Sequence, residues 1–512
     1  MVEGRHDGPL EARGQFLAGP TTLAIVIVVG LVVAFPRRLH WDPALYVDMG
    51  DRIARGALPF RDVFDLNPPL IHYLHAAVSS IALWLSVPST TTFLIVVVAT
   101  YLCSLWAVLS LLADREPARL GPLLWSLAVL GIVQWQFDFG QREHLYALTY
   151  LPLLLLRWRR SENLPVPGHP WTVCIGVAGG LMACLKPHLL AAALLVELWL
   201  WCTKVRRANA WVAPEVLGAA AIGVGYATLL ATMPADARHA FWGWLVPLVR
   251  AGYGTFDAPL WGLLDQAFST ILALGLALIL RRWRPANDTP WRRLGDALVV
   301  WALLGLAAYA VQNKGWPYHL LPARTASVAA CAVYFGNREW SRRSRQAIGR
   351  AAGVATAIVG LHAWTEAHTF DAPDRLAELV DHFAPAPRQV AFVMTDDRPS
   401  AWLASLGRSN ARSFTGDFPL RMLPPMTEEK ENEIYWASLR RDLASDATSL
   451  VLIEDRGPCS ACKPGESVTQ LLRRRRILPA ELLPLGPLCA LETSTGRYTV
   501  WIKQAPEEMP CR

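Results

Sequence analysis

Acids, bases and aromatic hydroxyls crowd into residues 41–75, WDPALYVDMGDRIARGALPFRDVFDLNPPLIHYLH. Asp42 stands in Trp-Asp-Pro-Ala-Leu-Tyr, just past an apolar run, where a carboxylate can take the proton of an attacking hydroxyl or steer that hydroxyl. Asp followed by Pro43 is also good N-capping chemistry. Tyr46 closes the element and is counted with the substrate contacts. Asp65 is either a second carboxylate of the same cleft or the cap of the helix that follows. Asp48, Asp51, Arg52 and Arg55 recur at helical spacing and read as a solvated face with internal ion pairs. His72 and His75 share one helical face, but a metal there would need further ligands.

Three later clusters complement this loop. Gln141-Arg142-Glu143-His144 places four polar groups where an apolar run begins, a set suited to gripping a phosphate and a sugar hydroxyl. The alternative is an interface turn with an internal Arg–Glu pair. Lys186, beside Pro187 and His188, separates two apolar runs; it either meets an anion or snorkels to lipid headgroups. Lys314, Tyr318 and His319 form a similar group, with Trp316 as an interface anchor or a sugar-stacking platform.

The elements that must position these groups are mostly membrane helices. Hydrophobic residues make up 53% of the 512, charged residues only 18%, and apolar runs near the length of a bilayer crossing recur to about Trp364. The run at 16–35 is followed by Pro36-Arg37-Arg38 rather than a small-residue cleavage pattern, so it reads as an uncleaved anchor. A net charge of +7 resides in short basic clusters between spans, the positive-inside pattern, and calls for no nucleic acid.

Expected spans are 16–35, 91–112, 120–136, 144–156, 171–185, 189–203, 211–231, 259–280, 295–311, 320–336 and 348–364, about eleven in all. Alternation puts the basic clusters on the cytoplasmic side only if 70–87 does not cross; that stretch is expected to be an amphipathic interfacial helix. The loop 36–90 and the three polar clusters then share the outer face. Residues 1–364 form the membrane domain and 365–512 a soluble extracytoplasmic α/β domain. Strands are expected at 389–395, 449–455, 488–492 and 497–503, with helices at 373–383, 428–445 and 466–476. Cys459, Cys462, Cys489 and Cys511 are disulfide candidates of undetermined pairing.

With Asp42 in the first outer loop and Pro68-Pro69-Leu70 opening an interfacial helix, the chain resembles the GT-C membrane glycosyltransferases that use polyprenyl-phosphate sugars, a group containing protein O-mannosyltransferases and the aminoarabinose transferase. The resemblance covers roughly 16–364 and rests on short motifs. It implies an inverting transfer from a polyprenyl-phosphate donor to a hydroxyl of a lipid, glycan or protein acceptor. Asp42 would be the base or acceptor-orienting residue, and Glu143 a second acidic residue. The family's Asp-Glu pair is Asp42-Pro43 here, and the lysine common before the Pro-Pro element is Asn67, which shifts phosphate neutralisation to Arg142, Lys186 or Lys314. A divalent metal is compatible with this scheme but not required, and no cofactor is otherwise implied. The place implied is a bacterial inner membrane, with the active site and C-terminal domain extracytoplasmic.

Two other classes share some of these features. A transporter or lipid flippase would carry ionisable groups or broken helices near mid-span, whereas here they gather at one face. A membrane-tethered thiol-redox protein would rely on Cys459-Ser-Ala-Cys462.

Overall fold

Long apolar runs have one hydrogen-bonding solution in a bilayer, the α-helix, and that is what these runs form. The computed structural model describes residues 39–114, 117–134, 138–203, 212–283, 289–336, 372–386, 389–393, 398–414, 418–423, 432–455, 459–485, 491–493 and 496–503. Every expected span between 91 and 336 is a helix: Ser89–Leu112, Pro117–Gln134, Arg142–Ser161, His169–Ala183, Pro187–Thr203, Pro214–Ala231, Leu260–Arg282, Thr289–Gln312 and Leu321–Gly336. Among the described residues, four are both long and apolar enough to cross a membrane alone: Ser89–Leu112, Pro214–Ala231, Leu260–Arg282 and Pro290–Gln312. The expected spans at 16–35 and 348–364 lie outside the described residues.

Helix Arg142–Ser161 is buried along nearly its whole length and runs through the middle of the bundle. Its apolar stretch is short because protein rather than lipid surrounds it, so polar residues can occupy both ends. Helices His169–Ala183 and Pro214–Ala231 meet through small residues, Gly176 and Gly180 facing Glu215 and Ala219.

The first loop forms helix Trp41–Ala54 and helix Leu70–Leu85, which pack on each other. The latter is apolar and shorter than a crossing, and it buries both His72 and His75. Neither expected cap is made. Helix Trp41–Ala54 starts one residue before Asp42, so that carboxylate lies inside the first turn and is free to face another segment. Asp65 closes a local turn by accepting from the backbone N–H of Asn67 (3.1 Å), while Pro69 precedes helix Leu70–Leu85.

The C-terminal part holds a five-stranded mixed sheet: β1 Val390–Val393, β2 Leu450–Glu454, β3 Leu483–Pro484, β4 Leu491–Thr493 and β5 Gly496–Ile502. Strands β1 and β2 are parallel; β5 runs antiparallel to β2, β3 and β4. Both faces are covered, which is why β1 and β2 read as continuous apolar runs rather than alternating ones. Val390, Phe392, Leu450 and Leu452 pack with helices Asp374–Phe383 and Arg398–Ser405. Ala391, Val393, Val451 and Ile453 face Tyr435, Leu439 and Leu471, and the same apolar cluster takes in Phe60 and Phe64 of the first loop. The sheet's core is therefore continuous with the loop that carries Asp65.

Candidate active site

Four chain segments reach one point, and each does so at the start of a helix. Asp42 lies in the first turn of Trp41–Ala54, and Arg142 and Glu143 open Arg142–Ser161. Lys186 immediately precedes Pro187–Thr203, and His319 lies in the short 3₁₀ turn before Leu321–Gly336. Helix N-termini carry partial positive charge, so this convergence favours anions at the site.

Gln141 joins the first two segments. Its amide Nε2 donates to Asp42 Oδ2 (3.1 Å) and to the ring Nδ1 of His40 (3.2 Å). Burial drives His40 down to about 3, so the ring is neutral and can accept. Burial raises the Asp42 carboxyl above its ordinary value, against the opposing pull of Arg142, the Gln141 bond and Lys186.

Arg142 donates to Asn67 Oδ1 and lies over the Tyr46 ring, 5.1 Å from its centroid. Asn67 in turn donates to the Tyr46 hydroxyl (2.8 Å) and to Asp65 Oδ2 (2.7 Å), and that same oxygen lies 4.0 Å from His72 Nε2. Asn67, which replaces a lysine of the resembled family, is thus the connector between the first loop and Arg142.

The second half of the site is a buried triad. Lys186 Nζ donates to Glu143 Oε1 at 2.5 Å and sits 3.3 Å from His319 Nε2, which is 3.6 Å from the same carboxylate oxygen. Lys186 also lies 5.5 Å from the centroid of the Tyr318 ring, and the His188 ring is 6.4 Å from that of His319. Burial and the positive Arg142 lower Lys186 to about 8 despite Glu143, and burial with Lys186 holds His319 well below the usual histidine range. Glu143 Oε2 and His319 Nδ1 are buried with no hydrogen-bond partner among the described residues.

Lys314 and His144 stand apart from this core. Lys314 donates to the Tyr253 carbonyl (2.7 Å) and to Asp257, and it lies over the Tyr253 ring. Tyr253 contacts Trp316, which stacks on Tyr318 at 5.8 Å, so Lys314 is linked to the site through aromatic neighbours. His144 is fully buried, its Nδ1 accepting from the Gly140 backbone N–H at 3.1 Å.

Sequence reasoning passed over Asp138 and His40. Burial pushes the Asp138 carboxyl up to about 7, and Arg324, Glu143 and Asp42 all act on it. Its position three residues before Gln141, in the same loop, was the available signal. Arg52 was misread: it is 6% exposed, pairs with Asp48 at 2.6 Å, and donates to the carbonyls of Asn410 and Arg412. A segment 360 residues further along the chain shields it from solvent. The neighbouring Arg55–Asp51 pair (3.0 Å) is solvent-facing, as the spacing predicts.

Among the described residues no group of three or more His, Cys, Asp or Glu side chains is arranged to hold a metal ion. Cys459 and Cys462 form a disulfide with each other; Cys489 and Cys511 lie outside the described residues.

The arrangement of the chain matches that of structures with the GT-C fold. The chain is similar to ArnT from Cupriavidus metallidurans, solved bound to undecaprenyl phosphate, with a TM-score of 0.57 and 13% identity over 95% of this chain and 98% of that one. It also aligns with the Archaeoglobus fulgidus oligosaccharyltransferase in the apo form (TM-score 0.45, 12% identity, 85% of this chain and 69% of that one). A third likeness is to the mycobacterial arabinofuranosyltransferase AftD (0.47, 16%, 96% and 42%). No protein-family model matches the chain, and no curated protein matches it in sequence.

Proposed function

We propose that the protein is an inverting glycosyltransferase that moves a sugar from a polyprenyl-phosphate carrier to a hydroxyl of an envelope glycolipid, polysaccharide or protein. The observation that carries this reading is the meeting of Asp42, Arg142, Glu143, Lys186 and His319 at four helix N-termini, in a chain with the fold of ArnT. In this scheme the acceptor oxygen attacks the anomeric carbon as its proton passes to Asp42. The bond from that carbon to the phosphate oxygen breaks, and the carrier leaves as its phosphate. A carboxyl raised by burial is a better proton acceptor than a solvated one, and Asp42 has that property.

Arg142 and Lys186 answer the charge that develops on the leaving phosphate. Arg142 has a buried Nε with no partner among the described residues. Lys186 is held in place by Glu143 and remains positive below about pH 8. Lys314, committed to Asp257 and Tyr253, acts as a brace of the aromatic wall that includes Trp316. We place the site and the C-terminal sheet on the extracytoplasmic side of a bacterial inner membrane, a placement supported by the positive-inside clusters.

The flippase reading is disfavoured because Asp42, Arg142, Lys186 and His319 sit at helix starts rather than at mid-span breaks. A thiol-redox reading would rest on the Cys459–Cys462 pair, whose loop is seated on Leu420 and Arg421 through Ser460. The decisive experiment is Asp42→Asn in purified protein. Transfer should fall by at least about 10³-fold with folding and undecaprenyl phosphate binding retained. Unchanged turnover would remove Asp42 from the mechanism. The acceptor class is read by comparing envelope glycolipids and glycoproteins of a deletion strain by mass spectrometry.

A further inference from the structure

The two pieces of the first loop that bear site residues are both fastened to one short stretch of the C-terminal part, residues 410–414. Arg52, on the helix that carries Asp42 and Tyr46, donates to the carbonyls of Asn410 and Arg412. Phe64, the residue before Asp65, donates its backbone N–H to the Ser413 carbonyl at 2.8 Å, forming a parallel bridge with Phe414. The Phe64 and Phe414 rings stack with centroids 4.5 Å apart and planes 7° apart, both buried.

The stretch is itself held rigidly. Ala411 N–H donates to the Val390 carbonyl (2.8 Å), so 410–411 extends the edge of the sheet beside β1. Asp442 accepts from the Ser413 backbone N–H at 2.6 Å and from its hydroxyl at 2.8 Å. A buried arginine bonded to two main-chain carbonyls is geometrically specific, because the guanidinium fork fixes both partners at once.

We propose that residues 410–414 are a positioning clamp for the active site, with Arg52 and Phe414 its two grips. One grip sets the helix that presents Asp42 and Tyr46. The other sets Asp65 and hence Asn67, which orients Arg142. The C-terminal sheet is then a working part of the site rather than an appended module. The role given to the clamped residues rests on the transferase reading above, but the clamp itself is testable without it.

The test uses full-length protein in lipid nanodiscs, with Phe414→Ala, Arg52→Gln and Arg52→Lys as disruptive variants and Phe414→Tyr as the conservative one; lysine keeps the charge of Arg52 but not its fork. Amide hydrogen exchange is followed at 41–54, 60–68 and 169–183, and undecaprenyl phosphate is the binding probe. Exchange should accelerate at 60–68 in Phe414→Ala and at 41–54 in both Arg52 variants, and affinity for the probe should fall on the order of tenfold, since small misplacements of positioned groups carry large penalties. Exchange at 169–183 should stay at the wild-type rate, and Phe414→Tyr should recover most of the affinity. Unchanged exchange at the gripped segment, or equal acceleration at 169–183, overturns the clamp. If the wild type itself fails to bind undecaprenyl phosphate, the transferase reading fails, while exchange at 41–54 and 60–68 still decides the clamp.

Discussion

Glu143 and Lys186 form a pair that neither residue can leave without penalty. Both are buried, and the 2.5 Å contact is the ammonium's link to a carboxylate. Glu143→Ala should destabilise the protein by about 3–5 kcal/mol, because an uncompensated cation remains inside. Lys186→Met together with Glu143→Ala should recover most of that loss while abolishing transfer, a separation that thermal unfolding and turnover assays would reveal. The pH response follows from the same lysine. Its folded value, about 8, lies below its ordinary 10.5, so between these values the unfolded chain binds more protons than the folded one. This group's contribution to stability therefore rises with pH across that window, whereas transfer, which needs the positive form, should decline above about pH 8. A transfer rate still rising at pH 9.5 would exclude Lys186 as the phosphate's counter-charge.

Helix packing places these residues, and its most demanding contact is the seam between His169–Ala183 and Pro214–Ala231. A side chain added at Gly176 would begin 2.0 Å from the Glu215 carbonyl oxygen, and one at Gly180 would begin 2.6 Å from the Ala219 backbone. Gly176→Val should thus force the helices apart and lower stability by about 3 kcal/mol or more, whereas Gly223→Val, where nothing lies within 4 Å, should be mild. The unfolding temperatures of the two variants make the comparison.

The helices were legible in the chain because apolar length and basic punctuation are local signals, and the polar clusters stood out for the same reason. The strands β1 and β2 were legible as short apolar runs. What stayed hidden was contact across sequence. Nothing within a few residues of Arg52 signals that it meets Asn410, so its charge looked solvated. Asp138, a single acid beside a four-residue polar cluster, gave no pattern of its own. Helix Arg398–Ser405 was missed because its length and mixed composition resemble a loop.

At the scale of the molecule, the Cys459–Cys462 disulfide and the Asp42 site belong to different parts. The disulfide loop is seated on Leu420 and Arg421 through Ser460, and it closes only a short ring. Its loss should cost about 2 kcal/mol by the loop-entropy argument. Replacing both cysteines with serine should lower the unfolding temperature and leave turnover per folded molecule intact; loss of all activity at full stability would favour the redox alternative.

The end of the bundle away from the site holds another arrangement. Arg157, 5% exposed, bonds both Glu197 (3.0 Å) and Glu215 (3.0 Å), and Glu215 also receives Arg160. These partners are supplied by three separate helices that leave the ribosome one after another. Until Glu215 is made, Arg157 has Glu197 alone and Arg160 lacks this carboxylate partner. Packing of the early helices should therefore be completed only when Pro214–Ala231 joins them. A nascent chain cut after Thr203 should remain crosslinkable to that machinery, and one extending past Ala231 should have moved into lipid.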